Sequence, residues 1–253
     1  MGYRNYYRST LNFGIADGLT PGVKKLLIAN IAVFVLEYLL PAIGLDRLIP
    51  MATLVPYAVT HLFWIWQLVT YMFLHQGIFH ILFNMFALGM FGSDLERNWG
   101  TRRFLFYYFL CGIGAGLTVV LFSPSSLTGT MGASGAIYGI LLAFGMLFPD
   151  RLIFMYFLIP IRAKYFVMIM GGIELLSELS LPGGPISHLA HLGGMGAGLL
   201  FLRGRPYYFD LRNHYYRWQR ARLQRAFRVY VSKHEGEEPR PETKEPRRGP
   251  WVN

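Results

Sequence analysis

Gly132-Ala133-Ser134-Gly135-Ala136-Ile137-Tyr138-Gly139 opens an apolar run that lasts to Phe148. It follows the turn-rich break Ser123-Pro124-Ser125-Ser126-Leu127-Thr128-Gly129-Thr130. The pattern puts a serine hydroxyl in the first turn of a hydrophobic helix, between small residues that leave its oxygen uncovered. Two readings compete for it. Gly135 and Gly139 make a small-xxx-small pair, and serine is common at seams where membrane helices pack. The other reading makes Ser134 a reactive group, and the rest of the chain weighs on that choice.

Of the 253 residues, 53% are hydrophobic and 15% charged, against roughly 25% charged in soluble domains. The charges crowd into the two ends, and mean hydropathy is +0.34. This profile reads as a polytopic membrane protein with a polar tail. The single cysteine, Cys111, sits in an apolar run, so there is no disulfide framework. Tyr3 to Asp17 lacks the short apolar core and small-residue cleavage site of a signal peptide, so the first hydrophobic segment is expected to stay as an anchor.

Working outward, residues 1–22 form a polar cytoplasmic arm, and apolar runs of about the length a 30 Å bilayer core requires follow at 23–43, 68–92, 104–122, 131–148, 163–179 and 186–202. The first carries Glu37. The connection 44–67 is broken by Pro50 and Pro56 and rich in Leu, Trp and Tyr, which suits a segment embedded in the membrane or lying in its interface. Arg151 to Lys164 contains an apolar stretch too short to span and interrupted by Pro160, so it is expected to be an interfacial connector. Residues 203–253 form a basic tail. Its first part alternates arginines with apolar residues in the manner of an amphipathic helix on an anionic membrane surface, and its end reads as disordered. Basic residues with aromatics could also bind nucleic acid, but adjacency to a span favours lipid, and no nucleic-acid partner is expected.

Lysine and arginine set the orientation. Of the 24, 23 fall in alternate segments starting with the N-terminal arm, and only Arg47 falls in the others. The positive-inside rule then puts both termini in the cytoplasm and six spans between them. On that topology Ser134, His75, His80 and His191 share one depth, near the non-cytoplasmic face. Polar groups inside a bilayer are costly and usually face the bundle interior or mark function. Packing alone would have to account for all four.

Serine is a weak nucleophile until a base takes its proton, and histidine is the usual base. His191 is available on another outer-half segment. An oxyanion needs donors, and His80 and Asn84, four apart on one helix face, could supply them with the Ser134 amide. Tyr138 is one turn after Ser134, placed to pack on an imidazole. No acid lies at that depth in the second, fourth or sixth span, so the system reads as a dyad.

At this point the sequence resembles the rhomboid family of intramembrane serine proteases. His80-Ile81-Leu82-Phe83-Asn84 is similar to the family's HxxxN, preceded by His75; Gly132-Ala133-Ser134-Gly135 to its GxSG, followed by Tyr138; and Ala190-His191 through Gly198 to its AHxxGxxxG. Glu96-Arg97-Asn98-Trp99-Gly100 resembles its connector after the second helix. The resemblance implies an all-α, six-transmembrane-helix bundle with a membrane-dipping first loop at 44–67 and a water-filled cavity opening outward. It implies a Ser134–His191 dyad, an oxyanion hole of His80, Asn84 and the Ser134 amide, and support from Tyr138, His75, Gly132, Gly194 and Gly198. Substrates would be single-pass membrane proteins, cut in or beside their transmembrane segment, with span five and the loop after it as lateral gate. The expected location is a bacterial inner (plasma) membrane. One departure is Trp66-Gln67, where members often carry Trp-Arg; the arginine's structural role is then lost or taken over.

His188 and His191 form an HxxH, and with His75 and His80 they could make a metal site by type. There is no HExxH, no cysteine cluster and no carboxylate expected at that depth, so no metal or cofactor is assigned. Gly194 and Gly198, which would let the last helix press on the fourth, favour His191 over His188 as the base. Glu174 and Glu178 read as structural, gate or interfacial charges. The remaining alternatives are an inactive relative that binds transmembrane clients, and a polar-cavity transporter, for which no inverted repeat is evident.

Overall fold

An apolar chain in lipid must satisfy its own backbone, and helices do this within one segment. The computed structural model describes residues 18–155, 159–180 and 188–204. There the regular structure is helical apart from one two-stranded hairpin. Helix α1 spans Pro21–Ala42 and opens on a proline, whose missing N–H is one the first turn would leave unpaired anyway. The connection that follows is broken into α2 (Leu48–Ala52), α3 (Pro56–His61) and α4 (Gln67–Thr70), then a 3-10 turn at Tyr71–Phe73. Helix α5 (Ile78–Ala87) runs through a π-helical turn at Leu88–Gly92 into α6 (Ser93–Trp99). After Gly100 come α7 (Thr101–Phe122) and α8 (Ser134–Leu147). Strands β1 (Leu152–Met155) and β2 (Ile159–Arg162) precede α9 (Ala163–Ser180), and a last helix, α10, covers 188–204.

Several boundaries differ from the sequence expectation. The second apolar run is not one continuous helix from 68. Its first part folds into short turns, the His75 amide donates to Glu37 Oε2 of α1 at 3.0 Å, and the helix begins only at Ile78, continuing to Trp99. His75 therefore stands before the helix that carries His80. The fourth helix begins at Ser134 rather than 131, because the Gly132 amide is engaged by the Tyr71 carbonyl at 2.9 Å. The connector 151–164 is a β-hairpin, Leu152 pairing with Arg162 and Ile153 with Ile161, with Ile153 turned inward and Leu152 outward. Such alternation of apolar residues is what a half-buried strand shows. Outside the membrane-like core, Asp150 beside β1 takes Lys164 at 2.9 Å, and that hydrogen bond and charge hold its carboxyl below the usual range. Most of the N-terminal arm, the 181–187 turn and the tail from 205 lie outside the described residues.

Helix α8 is the centre of the core. It buries Ile140, Ala143 and Phe144 among Tyr107, Tyr108, Cys111 and Ala115 of α7 and Phe91 of the π-helical turn. Outer faces are apolar instead of polar: Ile28, Leu36 and Leu39 of α1, Phe79 and Phe83 of α5, Leu117 and Leu121 of α7, and Met168 and Leu176 of α9 are exposed. Among the described residues, Ile78–Trp99 and Thr101–Phe122 are long and apolar enough to cross a membrane. Near the end of the first, the buried carboxylate of Glu96 accepts from Thr20 Oγ1, the Gly22 and Val23 amides and Thr101 Oγ1 at 2.5–2.9 Å. It thus caps the N-terminus of α1, where free amides and the helix dipole favour an anion.

Candidate active site

The turn before α8 decides where the serine points. Leu54 and Thr130 exchange both backbone hydrogen bonds, at 3.0 and 2.8 Å, tying the 123–133 segment to the broken connection. Gly132 has φ +128, a conformation that favours glycine, and a Cβ there would lie 2.8 Å from His80 Cε1. Ser134 follows as the first residue of α8, so its amide is one of those a helix leaves without an internal partner.

Small residues then let α10 come to backbone contact. A Cβ on Gly194 would fall 1.9 Å from the Gly135 carbonyl oxygen, and one on Gly139 would fall 3.1 Å from the Gly194 carbonyl oxygen. Gly194 thus presses α10 on the fourth helix, as expected. Gly198 does not: it faces Tyr107 and Cys111 of α7, which lies against that turn of α10.

That approach sets Ser134 Oγ 2.7 Å from His191 Nε2. The Tyr138 and His191 rings stack at 4.2 Å with planes 13° apart. With Nε2 accepting the serine hydroxyl, a neutral imidazole carries its proton on Nδ1. Nδ1 stands 3.1 Å from Glu174 Oε1, within ion-pair distance but short of hydrogen-bond alignment. Glu174 is buried, and its carboxylate also accepts from the Tyr138 hydroxyl and faces His188 Nδ1 at 2.6 Å. A carboxylate therefore does lie at the histidines' depth, contrary to the sequence reading: α9 turns Glu174 inward, and three donors offset the cost of burying it. The signal was legible in part, since an acid in an apolar helix calls for a partner, but sequence does not say which face of α9 points inward.

His80 stands against Gly132, and the Gln76 amide points at its Nδ1 from 3.4 Å, which leaves Nε2–H directed at the serine turn. Asn84 is buried and gives one amide hydrogen to the His80 carbonyl at 3.0 Å, keeping a second. His75 packs edge-on against His80 with ring centroids 5.1 Å apart. The four histidines do not converge as a set; Glu174, His188 and His191 do, with donor atoms within 4.8 Å of one another. Gln67 replaces the loop arginine with amide chemistry. It is buried, takes the Val55 amide at 3.0 Å and reaches the Met51 carbonyl at 3.3 Å.

Comparison with known proteins gives the family. The family model described as the Rhomboid domain matches residues 62–205, more than half of the chain. RHOMBOID-like protein 1 of Arabidopsis thaliana is 32% identical over 163 residues, covering 61% of this chain and 39% of that protein. Rhomboid protease GluP of Bacillus subtilis is 43% identical over 76 residues, 30% of this chain and 14% of the relative. Putative rhomboid protease YdcA of the same organism is 32% identical over 137 residues, 53% and 64%. The chain thus spans less than two thirds of each of these relatives. Family model and relatives agree: the chain belongs to the rhomboid family, whose members are integral membrane proteins.

Proposed function

We propose that this protein is an intramembrane serine endopeptidase that cleaves transmembrane segments of single-pass membrane proteins with Ser134 as nucleophile and His191 as base. The observation that carries this reading is the 2.7 Å contact between Ser134 Oγ and His191 Nε2. Ser134 Oγ attacks the scissile carbonyl carbon while its proton passes to His191 Nε2. The oxyanion takes hydrogen bonds from the Ser134 amide, His80 Nε2–H and the second amide hydrogen of Asn84. His191 then protonates the leaving amine, and water, activated by the same histidine, releases the acyl group.

The six-span bundle with both termini in the cytoplasm of a bacterial inner membrane belongs to the same proposal, supported by apolar outer faces and the lysine and arginine distribution. Exposed Leu62, Phe63, Ile65 and Trp66 support a first loop that dips into lipid. Helix α8, at 14 residues, covers about 21 Å. Its serine end therefore stops short of a 30 Å core, where water must reach it from the outer side. Because a helical peptide bond is shielded, substrates with helix-weakening residues are favoured, entering past α9 as the gate. A client-binding relative would have no need for the serine–histidine contact.

The test is cleavage of a transmembrane model substrate in liposomes by the parent, Ser134→Ala, His191→Ala and His188→Ala. Both Ser134→Ala and His191→Ala should fold, be silent and take no serine-directed phosphonate, which should label the parent; activity in His191→Ala but not in His188→Ala would make His188 the base. A silent, unlabelled parent across several helix-weakened substrates would move the assignment to client binding.

A further inference from the structure

Among the buried titratable groups that the mechanism above leaves unused, Glu174 is the one that faces the base. Glu174 sits on α9 with its carboxylate among Tyr138, His188 and His191, and each contact is with a donor. Oε1 faces both the Tyr138 hydroxyl and His191 Nδ1; Oε2 faces His188 Nδ1. Nδ1 of His191 is buried, and its nearest anionic atom is Glu174 Oε1 at 3.1 Å. A buried imidazole that must present Nε2 to a serine needs its proton held at Nδ1, and a carboxylate opposite Nδ1 does that while stabilising the imidazolium formed on proton transfer. Catalytic hydrogen bonds are commonly misaligned in an unliganded enzyme and tighten in the substrate complex.

We infer that Glu174 is the positioning residue of the site, so that this chain works as a Ser134–His191–Glu174 triad whose acid comes from α9. The inference rests on the protease reading above. Tyr138 has two parts in it: its ring stacks on His191, and its hydroxyl competes with His191 Nδ1 for the same carboxylate oxygen. His188 holds the other oxygen. The acid also ties the catalytic pair to α9, so movement of that helix would change the base's tautomer preference along with access.

The experiment is the pH profile of kcat/KM for model-substrate cleavage, with phosphonate labelling and thermal unfolding in parallel. The groups facing His191 are Ser134 and Tyr138 from α8, Glu174 from α9 and His188 on its own helix, with His80 of α5 across Gly132. Glu174→Gln should fold, lose roughly 10²–10⁴ in kcat/KM, the scale of losing a general base or its partner, and move its acid limb to lower pH. Tyr138→Phe keeps the stacked ring and frees Oε1 for Nδ1, so its acid limb should move to higher pH. This variant keeps the test open if Glu174→Gln fails to fold. Acid limbs that stay in place in folded Glu174→Gln, or in Tyr138→Phe, overturn the inference while a cleaving parent leaves the protease reading intact. Stoichiometric zinc binding by the full chain that inhibits cleavage, and is lost in Glu174→Gln and His188→Ala, would overturn it too and make the cluster a metal site. A parent that neither cleaves nor labels defeats the protease reading itself.

Discussion

Helices α8 and α9 hold opposite ends of one polar chain, Ser134 at the start of α8 and Glu174 two thirds of the way along α9, yet they are secured in different ways. In α8 nine of 14 residues are buried and the contacts that matter run through its glycines, backbone against backbone with α10 and Gly135 against the Ala115 methyl of α7. In α9 three residues are buried, Ala163, Val167 and Glu174, and the outward face is Met168, Ile169, Ile173 and Leu176. Ser134 is therefore placed by backbone packing, which has few solutions. The His191 ring is oriented by side chains, Tyr138 and Glu174, whose effects can be removed an atom at a time.

The harshest way to break that contrast is Gly194→Val. Its Cβ would meet the Gly135 carbonyl oxygen at 1.9 Å, and neither backbone can yield without separating α8 from α10. The expected cost exceeds the about 1–3 kcal/mol usual for overpacking, so little folded protein should survive detergent extraction and size-exclusion chromatography. A variant that folds with parental melting would mean the two helices do not depend on this contact.

Two truncations sharpen it. Ile140→Ala removes a fully buried side chain from α8 and should cost about 2–5 kcal/mol. Leu176→Ala, on a side chain 64% exposed on α9, should change stability by less than about 0.5 kcal/mol. Chemical unfolding in one detergent compares them, and equal losses would show that α9 packs against something more than lipid.

Gln67→Leu asks whether side-chain tethering extends beyond the site. It strands the Val55 amide, while the Met51 carbonyl keeps Trp66 Nε1 at 3.0 Å, a loss of about 1–3 kcal/mol for a polar group left unpaired away from water. Thermal unfolding should register the change, while phosphonate labelling of Ser134 continues in the folded fraction. Smallest of all, removing residues 207–253 should leave labelling unchanged; lost labelling in a folded truncation would make the tail part of the catalytic unit.

What the amino-acid order determined by itself is whatever depends on composition and spacing. Apolar runs with crowded terminal charges dictate a membrane bundle, because lipid cannot satisfy an open backbone. Ser134, His80 and His191 could be singled out because polar groups at one depth of such a bundle need a reason to be there. Tertiary structure decided what depends on rotation and on closed contacts. Which way Glu174 turns, that Glu37 reaches the His75 amide and stops the second helix short, and that Gly198 meets α7 rather than α8 all follow from how helices sit against neighbours distant in sequence. A period of 3.6 residues tells which residues share a face, and only packing tells what that face meets.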